Sequence, residues 1–472
     1  MTARKTTEKK RGQAPKKQVK KRGLKKRGQT PKKSAKTTGG KSRGGPPSGD
    51  KSGSFFYFPI FLLVMAGQLL VLGARTAEGR VLMYSNLWPL ALWALSGAVL
   101  CLVLKGGRFS GSSVLVSGGL LLSGIGVLVR SRMSGVVPDV SDMNVLIQPL
   151  GVILLLLAWM MTRKGRVKIL QPFWGLALLA AFALAGGMLL LGTRYRGGLY
   201  APGGMTPTEL LKLFVPVAAA GFFAKTISRW HGRPPWFPPF AQLMLLLVVW
   251  AGFCALLALQ RDLGLVLLLS LILLVVLICA TGRVSWGVGA LGSAVAAGWG
   301  VVRVFAHGAR RVEAWMDPFA DPTGSGWQVL QGLSGLYAGG LAGTGLGSGR
   351  PDRLPIAGSD FVYAVYGEEL GFLGSICLLF LFAHLFRAAI LATRRQSDDF
   401  AHLFAAGITA AFVVQTLVNI AGVVTLLPIT GITLPYISQG GSSYWVTSVW
   451  MGCLMGLSET NPSGSKRKAR KD

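Results

Sequence analysis

The stretch LGLVLLLSLILLVVLICATG, residues 263–282, contains no charged side chain. A helix that crosses the hydrocarbon core of a bilayer needs about 20 predominantly apolar residues. Composition points the same way, because 51% of the chain is hydrophobic and only 14% is charged, whereas soluble domains carry roughly 25% charged residues. The stretch therefore predicts a membrane-spanning helix.

Similar apolar runs recur along the chain and predict about 12 transmembrane helices. The two runs that meet at Gln260, Arg261 and Asp262 also fit one long interrupted helix. We therefore expect an all-α polytopic membrane protein, a helical bundle with one long loop at 306–358. The predicted spans are 54–74, 87–104, 110–130, 145–162, 169–192, 206–225, 238–259, 263–282, 284–305, 359–386, 400–425 and 437–457.

Both ends of the chain are basic. Residues 1–53 hold nineteen Lys and Arg and are rich in Gly, Pro, Ser and Thr, a composition typical of disorder. Such a tail beside a membrane span is expected to bind anionic membrane lipids in the cytoplasm. Nucleic acid is the alternative partner for a basic tail, and we consider it less favoured. Residues 458–472 form a second basic tail.

The short loops give an orientation. An even number of spans places both termini on one side, and Lys and Arg concentrate in alternate loops, for example at residues 163–168. Positive loops mark the cytoplasmic side. We therefore expect both termini in the cytoplasm and the loop 306–358 outside.

Several ionisable residues lie inside or beside the predicted spans. A charged group at the bilayer centre costs about 2.5–3.5 kcal/mol on insertion scales. Such residues usually face a polar cavity or a partner. They are Glu209, Lys212, Asp262, Asp360, Glu368 and Glu369.

Four segments resemble the SEDS family, the FtsW/RodA/SpoVE-like peptidoglycan glycosyltransferases. They occur in the family's order between about residues 190 and 457. The family usually has ten spans, so the runs in 54–105 would be two extra N-terminal spans before a core at 106–457. The segments are TPTELLK (206–212), QRDLG (260–264), the loop from DPFADPTGSGWQ (317–328) through GTGLG (343–347) to SDF (359–361) and GEELG (367–371), and LPITGITLPYISQGGSS (427–443) with Asn419.

The sequence departs from the family pattern in two motifs. Members often carry an Arg-Trp pair in the outer loop before the Glu209 motif, whereas this chain has TRYRGG at 193–198. The second motif has Arg261 where the family has proline. The first departure leaves open which residues of that loop contact substrate.

The resemblance implies polymerisation of lipid II into β-1,4 glycan strands on the outer face of the bacterial cytoplasmic (inner) membrane, in division or elongation. It also implies a class B penicillin-binding protein as the transpeptidase partner, undecaprenyl-linked glycan as the other substrate, and a divalent cation (Mg or Mn) without an organic cofactor. Flipping or transport of the same lipid-linked precursor is the alternative function, and a non-catalytic scaffold is a third. Inverted repeats, which would favour transport, are not evident.

Asp360 matches the family's catalytic aspartate, so the resemblance implies that it is the general base. The alternative is that Ser359 and Asp360 cap a helix. A helix N-terminus would stabilise the carboxylate and weaken the base, so partial burial would be needed to offset this.

Further residues are candidates for substrate binding. Arginines of the outer loops are expected to hold pyrophosphate, or else to be membrane-surface charges: Arg311, Arg350, Arg194 and Arg196. Glu209 and Lys212 are three residues apart and can pair on one helix face, as a structural pair or in the cavity. Asp262, Glu368, Ser442 and Ser443 would line the groove or serve packing. Asp317 and Asp321 would either bind a cation or form turns.

Overall fold

A computed structural model of the chain describes residues 57–77, 87–134, 146–195, 198–200, 206–231, 239–289, 291–292 and 306–459. Residues 1–53 and 460–472, which include most of both basic tails, lie outside these ranges. The labelled helices are α1 (Tyr57–Ala77), α2 (Trp88–Gly106), α3 (Ser113–Met133), α4 (Ile147–Thr162), α5 (Trp174–Leu191), α6 (Leu211–His231), α7 (Phe240–Leu259), α8 (Leu263–Thr281), α9 (Ala306–Met316), α10 (Trp327–Gly339), α11 (Val362–Arg394), α12 (Asp399–Val423) and α13 (Gly441–Ser458).

The predicted all-α polytopic architecture is confirmed. Within the described residues, nine helical stretches are long and apolar enough to cross a membrane, with α4 and α5 counted in one stretch, 147–191. Every predicted span except 284–305 coincides with a helix. That span is helical over 284–289, and residues 293–305 lie outside the described part. The chain is a multi-pass membrane protein.

Two predicted boundaries are settled by the backbone. The helices α7 and α8 are separate, because Gln260 to Asp262 break the path and Arg261 takes a left-handed φ of 63°. The runs predicted as two extra spans in 54–105 form α1 and α2, which pack on each other and on α3.

The loops before α6 and before α11 contain more structure than the sequence predicts. The residues before α6 form an antiparallel hairpin of β1 (Thr193–Tyr195) and β2 (Gly198–Tyr200). The loop 306–358 contains α9 and α10, and a 3-10 turn at Pro351–Arg353. The loop 306–358 is therefore folded over much of its length.

The helix α12 lies at the centre of the bundle and packs against α6, α8, α11 and α13. Close backbone approach holds α4 against α13, because a Cβ on Gly452 would lie 2.2 Å from the Leu155 carbonyl oxygen. Small residues allow such approach between membrane helices.

The helix α11 is broken at Gly371, whose φ of 66° and ψ of −166° are not helical. A break at membrane depth frees backbone groups that lipid cannot satisfy. The loop that follows α10 pairs with them, which fixes this loop to the N-terminal part of α11. The bonds are Thr344 N to Glu368 O, Gly345 N to Glu369 O, Phe372 N to Gly340 O and Leu373 N to Leu341 O, at 2.9–3.1 Å.

The end of α13 gathers several basic loops. The Arg163 Nη2 donates to the Gly107 carbonyl at 2.9 Å, and its Nε lies 3.4 Å from Glu459. The Arg395 guanidinium donates to the Ser458 carbonyl. Because α11 leads from Arg395 to Asp360, the basic loops and Asp360 lie at opposite ends of the bundle.

Candidate functional site

Asp360 lies two residues before α11 and does not cap it. The N-cap position is occupied by Phe361, whose side chain makes no capping hydrogen bond. The interpretation of Ser359 and Asp360 as a helix cap is therefore wrong. A cap would have engaged the carboxylate with backbone donors, whereas the Asp360 Oδ1 accepts from the Ser359 hydroxyl and its Oδ2 faces Gly431.

The surroundings of Asp360 make its carboxyl group unusually basic. Its Oδ1 accepts a hydrogen bond from the Ser359 hydroxyl at 3.0 Å, and its Oδ2 faces Gly431, where a Cβ would lie 3.7 Å away. Burial raises the pKa of Asp360, and the hydroxyl of Ser359 and the charge of Arg311 offset this only in part. A raised pKa suits a general base that works near neutral pH.

Arg311 of α9 lies between two carboxylates. Its charge acts on both Asp360 and Asp262, while burial lowers the pKa of the guanidinium. The Nη1 donates to the Ile429 carbonyl at 3.0 Å, which fixes the side chain. Asp360, Asp262 and Arg311, here called the Asp–Arg cluster, come from three distant parts of the chain.

Asp262 is held by the start of α8. Its Oδ1 accepts from the Leu265 N–H at 3.0 Å, so Asp262 is the N-cap of α8. Burial raises the pKa of Asp262, and the neighbouring charges of Lys212 and Arg311 lower it in part. The cap fixes this carboxylate beside Arg311.

The loop 424–440 between α12 and α13 brings the Asp–Arg cluster together. A Cβ on Gly264 would lie 2.2 Å from the Thr430 carbonyl, so the first turn of α8 touches the loop backbone directly. At its other end the loop meets the segment before Asp360, because the Ser438 hydroxyl donates to the Ser359 carbonyl and the Gln439 N–H donates to the Gly358 carbonyl, both at 2.6 Å.

The predicted pair of Glu209 and Lys212 lies beside this cluster. The Lys212 ammonium is 2.7 Å from the Glu209 carboxylate and 2.9 Å from the side-chain Oε1 of Gln415, and the Lys212 side chain is buried. Gln415 in turn donates to the Thr433 carbonyl at 3.0 Å. Both charges of the pair also act on Asp262.

The two predicted serines join α13 to neighbouring segments. The Ser442 hydroxyl lies 2.8 Å from the Thr206 hydroxyl, and the Ser443 hydroxyl lies 2.6 Å from the Thr433 hydroxyl. Both serines therefore connect α13 to segments near the Glu209–Lys212 pair. Thr206 belongs to the same TPTELLK motif as that pair.

Two predicted substrate residues are held elsewhere. The Glu368 carboxylate is buried and accepts from the Arg350 N–H at 3.0 Å, so it fixes the loop 340–350. The exposed Arg350 guanidinium lies 3.5 Å from Asp352. These contacts lie within the loop and agree with the packing alternative for Glu368, and the predicted substrate contact of Arg350 stays a prediction.

The two predicted arginines of the hairpin are Arg194 and Arg196. Arg194 lies on β1, where only the backbone is described, and Arg196 lies outside the described residues. Their expected contact with pyrophosphate stays a prediction.

Asp317 and Asp321 form turns. The Asp317 carboxylate accepts from the Phe319 N–H, and the Asp321 carboxylate accepts from the N–H groups of Gly324 and Ser325. Among the residues that the structure describes, no group of three or more His, Cys, Asp or Glu could hold a metal ion. The turn interpretation therefore accounts for both aspartates.

Two buried polar links escaped the sequence analysis. Gln415 joins Lys212 to the loop 424–440, and Arg132 of α3 pairs with Glu369 at 3.0 Å while donating to the Gly349 carbonyl. A polar residue within an apolar span was the available signal for both. Their partners are distant in sequence, so the sequence alone did not connect them.

Known proteins resemble this chain across the same region. The FTSW_RODA_SPOVE family model, described as "Cell cycle protein", matches residues 144–462. The "Peptidoglycan glycosyltransferase RodA" of Mycobacterium tuberculosis is 36% identical over 256 residues, which cover 54% of this chain and 53% of that protein. The chain thus spans about half the length of that relative.

A second relative and a solved structure agree. The "Probable peptidoglycan glycosyltransferase FtsW" of Trichlorobacter lovleyi is 33% identical over 54% of this chain and 66% of that protein. A chain from a structure described as "Structural coordination of polymerization and crosslinking by a peptidoglycan synthase complex" superposes with a TM-score of 0.57 at 26% identity, over 73% of this chain and 97% of that chain. Because the family model covers more than half of its residues, this chain belongs to the FtsW/RodA/SpoVE (SEDS) family.

Proposed function

We propose that the chain is a peptidoglycan glycosyltransferase that polymerises lipid II on the outer face of the cytoplasmic membrane, in cell division or elongation. The observation that carries the proposal is the Asp–Arg cluster. It provides a basic carboxyl group beside a fixed cation at one end of a membrane bundle. The names of the relatives support the same chemistry.

In this reaction the C4 hydroxyl of an N-acetylglucosamine attacks C1 of an N-acetylmuramic acid. The hydroxyl proton passes to the Asp360 carboxylate as the new C–O bond forms. The C1–O bond to the pyrophosphate breaks, and its electron pair leaves with undecaprenyl pyrophosphate, which inverts the configuration at C1. A positioned general base contributes about 10²–10⁴-fold to such a step.

Arg311 is suited to the leaving group. Preorganised positive charge stabilises the charge that develops on a leaving phosphate. Arg311 is held at the Ile429 carbonyl and lies next to two carboxylates. The incoming pyrophosphate would add a further anionic partner for this guanidinium.

A divalent cation (Mg or Mn) would fit here only together with substrate. Mg²⁺ is usually bound by one or two carboxylates plus substrate phosphates and water. Asp262 supplies one carboxylate next to Arg311. Asp262 and the pyrophosphate would hold the ion, which would add positive charge at the leaving group.

The proposed location and partners of the protein are argued from the two ends of the bundle and from the similar structure. The basic loops lie at the end opposite Asp360, which supports cytoplasmic termini and an outer site. A class B penicillin-binding protein is the proposed transpeptidase partner, because the similar chain comes from a complex of polymerization and crosslinking. The tail 1–53 would hold anionic lipids.

The test uses the full-length purified chain with fluorescently labelled lipid II in detergent, with and without the transpeptidase. Wild type should form polymer, and Asp360→Ala should lose at least about 10²-fold of the rate. Asp321→Ala is the matched control, because Asp321 is an exposed aspartate of the same outer loop that bonds only its own turn.

Other outcomes would identify another function. Equal polymer from wild type and Asp360→Ala would contradict the proposed base. Movement of labelled lipid II across vesicles without polymer would favour a flippase or transporter. Full rescue of cell-wall synthesis in cells by Asp360→Ala would favour a scaffold.

A further inference from the structure

We infer that Asn419, a buried amide on α12, is a positioning residue that holds Asp360 in its reactive place. The inference rests on the proposed function, because it assigns Asn419 to the same reaction. Asn419 does not touch the Asp360 carboxylate. It holds the backbone of Asp360 and the backbone of the loop that faces the carboxylate.

The contacts of Asn419 are specific. Its Nδ2 donates to the Asp360 carbonyl at 3.0 Å and to the Ile432 carbonyl at 2.7 Å, and the side chain is only 3% exposed. A side-chain amide has two N–H donors, so these two bonds use both. Both acceptors belong to irregular backbone, where buried carbonyls need donors from outside the regular ladders.

The position of Ile432 shows which parts of the site Asn419 connects. Ile432 follows Gly431, which has a left-handed φ of 78° and faces the Asp360 carboxylate. One amide therefore sets the distance between the aspartate and the backbone that faces it. Without Asn419, the two segments would lose their direct common donor.

Gln415 makes the matching link one turn earlier on α12. Residues four apart lie on one helix face. Gln415 accepts from Lys212 at 2.9 Å and donates to the Thr433 carbonyl at 3.0 Å. Because Ile432 and Thr433 are adjacent, the two amides hold the same short segment. They join the Glu209–Lys212 pair to Asp360 through one rigid helix.

The rate of proton abstraction depends on the position of the base relative to the substrate hydroxyl. A misplacement of about 1 Å can cost roughly 10²-fold in rate. Both Nδ2 donors of Asn419 are committed to backbone carbonyls, so they are not available to bind substrate. Loss of Asn419 should therefore lower kcat and leave KM for lipid II nearly unchanged.

The experiment measures kcat and KM for lipid II polymerisation by the full-length chain with its transpeptidase partner. Asn419→Leu keeps most of the volume and removes both donors, and kcat should fall about 10–100-fold with KM within about twofold. Asn419→Ser is the second variant if Asn419→Leu does not fold, as judged by detergent gel filtration and thermal unfolding.

Thr416→Val is the matched control. Thr416 is buried on the same helix, but its hydroxyl donates to the Phe412 carbonyl within α12. This variant should keep the wild-type kcat. An equal loss in Thr416→Val would assign the effect to packing of α12 and overturn the inference.

The remaining outcomes are also decisive. An unchanged kcat in folded Asn419 variants, or a rise in KM at constant kcat, overturns the positioning role while wild-type polymer keeps the proposed function. If wild type itself forms no polymer, the proposed function fails and the inference fails with it. The two failures are therefore distinguishable.

Discussion

At the scale of single residues, the site depends on how the charge of one carboxylate is balanced. Burial raises the pKa of Asp360, while Ser359 donates to the charged form and Arg311 attracts it. Asp262 acts in the opposite sense, because a second negative charge raises the pKa further. These opposing effects leave a carboxyl group that is more basic than an exposed aspartate.

Ser359→Ala should therefore move the acidic limb of the pH–rate profile to higher pH. A general base is active only when deprotonated, so activity is lost as pH falls through the pKa of Asp360. Removal of the Ser359 hydroxyl destabilises the carboxylate and raises that pKa, so the loss begins at a higher pH. The pH dependence of kcat/KM for lipid II checks this.

Ser348→Ala is the control for that prediction. Ser348 is an exposed serine of the same outer loop, so its profile should match wild type. The backbone carbonyl of Ser359, which accepts from Ser438, is kept in Ser359→Ala. A profile that stays in place or moves to lower pH would contradict the role of this hydroxyl.

At the scale of elements, the residues of the site lie on irregular backbone at the ends of helices. The helix α8 begins at Asp262, α11 begins just after Asp360, and the loop 424–440 contacts both starts. The motif QRDLG contains the predicted site residue Asp262 and also Gly264. The structure adds the reason for the glycine, which is contact with the loop backbone at Thr430.

Gly264→Ala should destabilise the protein and slow polymerisation. The added Cβ would lie 2.2 Å from the Thr430 carbonyl oxygen, so the loop must move. Overpacking of this kind typically costs about 1–3 kcal/mol, and the displaced loop carries the groups that face Asp360. Thermal unfolding in detergent and the polymerisation rate measure the two effects.

Gly186→Ala in α5 is the matched substitution. A Cβ there meets no atom within 4 Å, and alanine is more favourable than glycine inside a helix by about 0.5–1 kcal/mol. The unfolding temperature should therefore stay level or rise. If both glycine variants behaved alike, contact with Thr430 would not be the reason for Gly264.

At the scale of the whole molecule, the bundle separates two kinds of charge. Basic loops gather around the end of α13, and the Asp–Arg cluster lies at the other end. The same separation is visible in the sequence as alternate positive loops. Under the proposed function, this separation puts the reaction at the end of the bundle opposite the basic loops.

The orientation is testable with single cysteines in a background without the five native ones. Ser325→Cys lies exposed between α9 and α10, and Ser397→Cys lies exposed between α11 and α12. A membrane-impermeant maleimide should label Ser325→Cys in intact cells and label Ser397→Cys only after permeabilisation. The reverse pattern would place Asp360 on the cytoplasmic side and contradict an outer site.

The sequence by itself determined the membrane bundle, nearly all of its spans and the catalytic candidate. Apolar length decides a membrane helix locally, and the motif around Asp360 resembles the family residue by residue. The helix-cap alternative for Asp360 and the place of Glu368 could not be decided in this way, because both depend on backbone paths that bend at Phe361 and Gly371.

Only the tertiary structure decided which polar groups meet. Arg311, Asp262 and Asp360 are far apart along the chain, and Asn419 and Gln415 gain their roles from carbonyls on distant loops. In a bilayer the backbone polar groups must be satisfied inside the protein. That requirement is local, but the choice of partner depends on how the helices pack, which no single stretch of sequence contains.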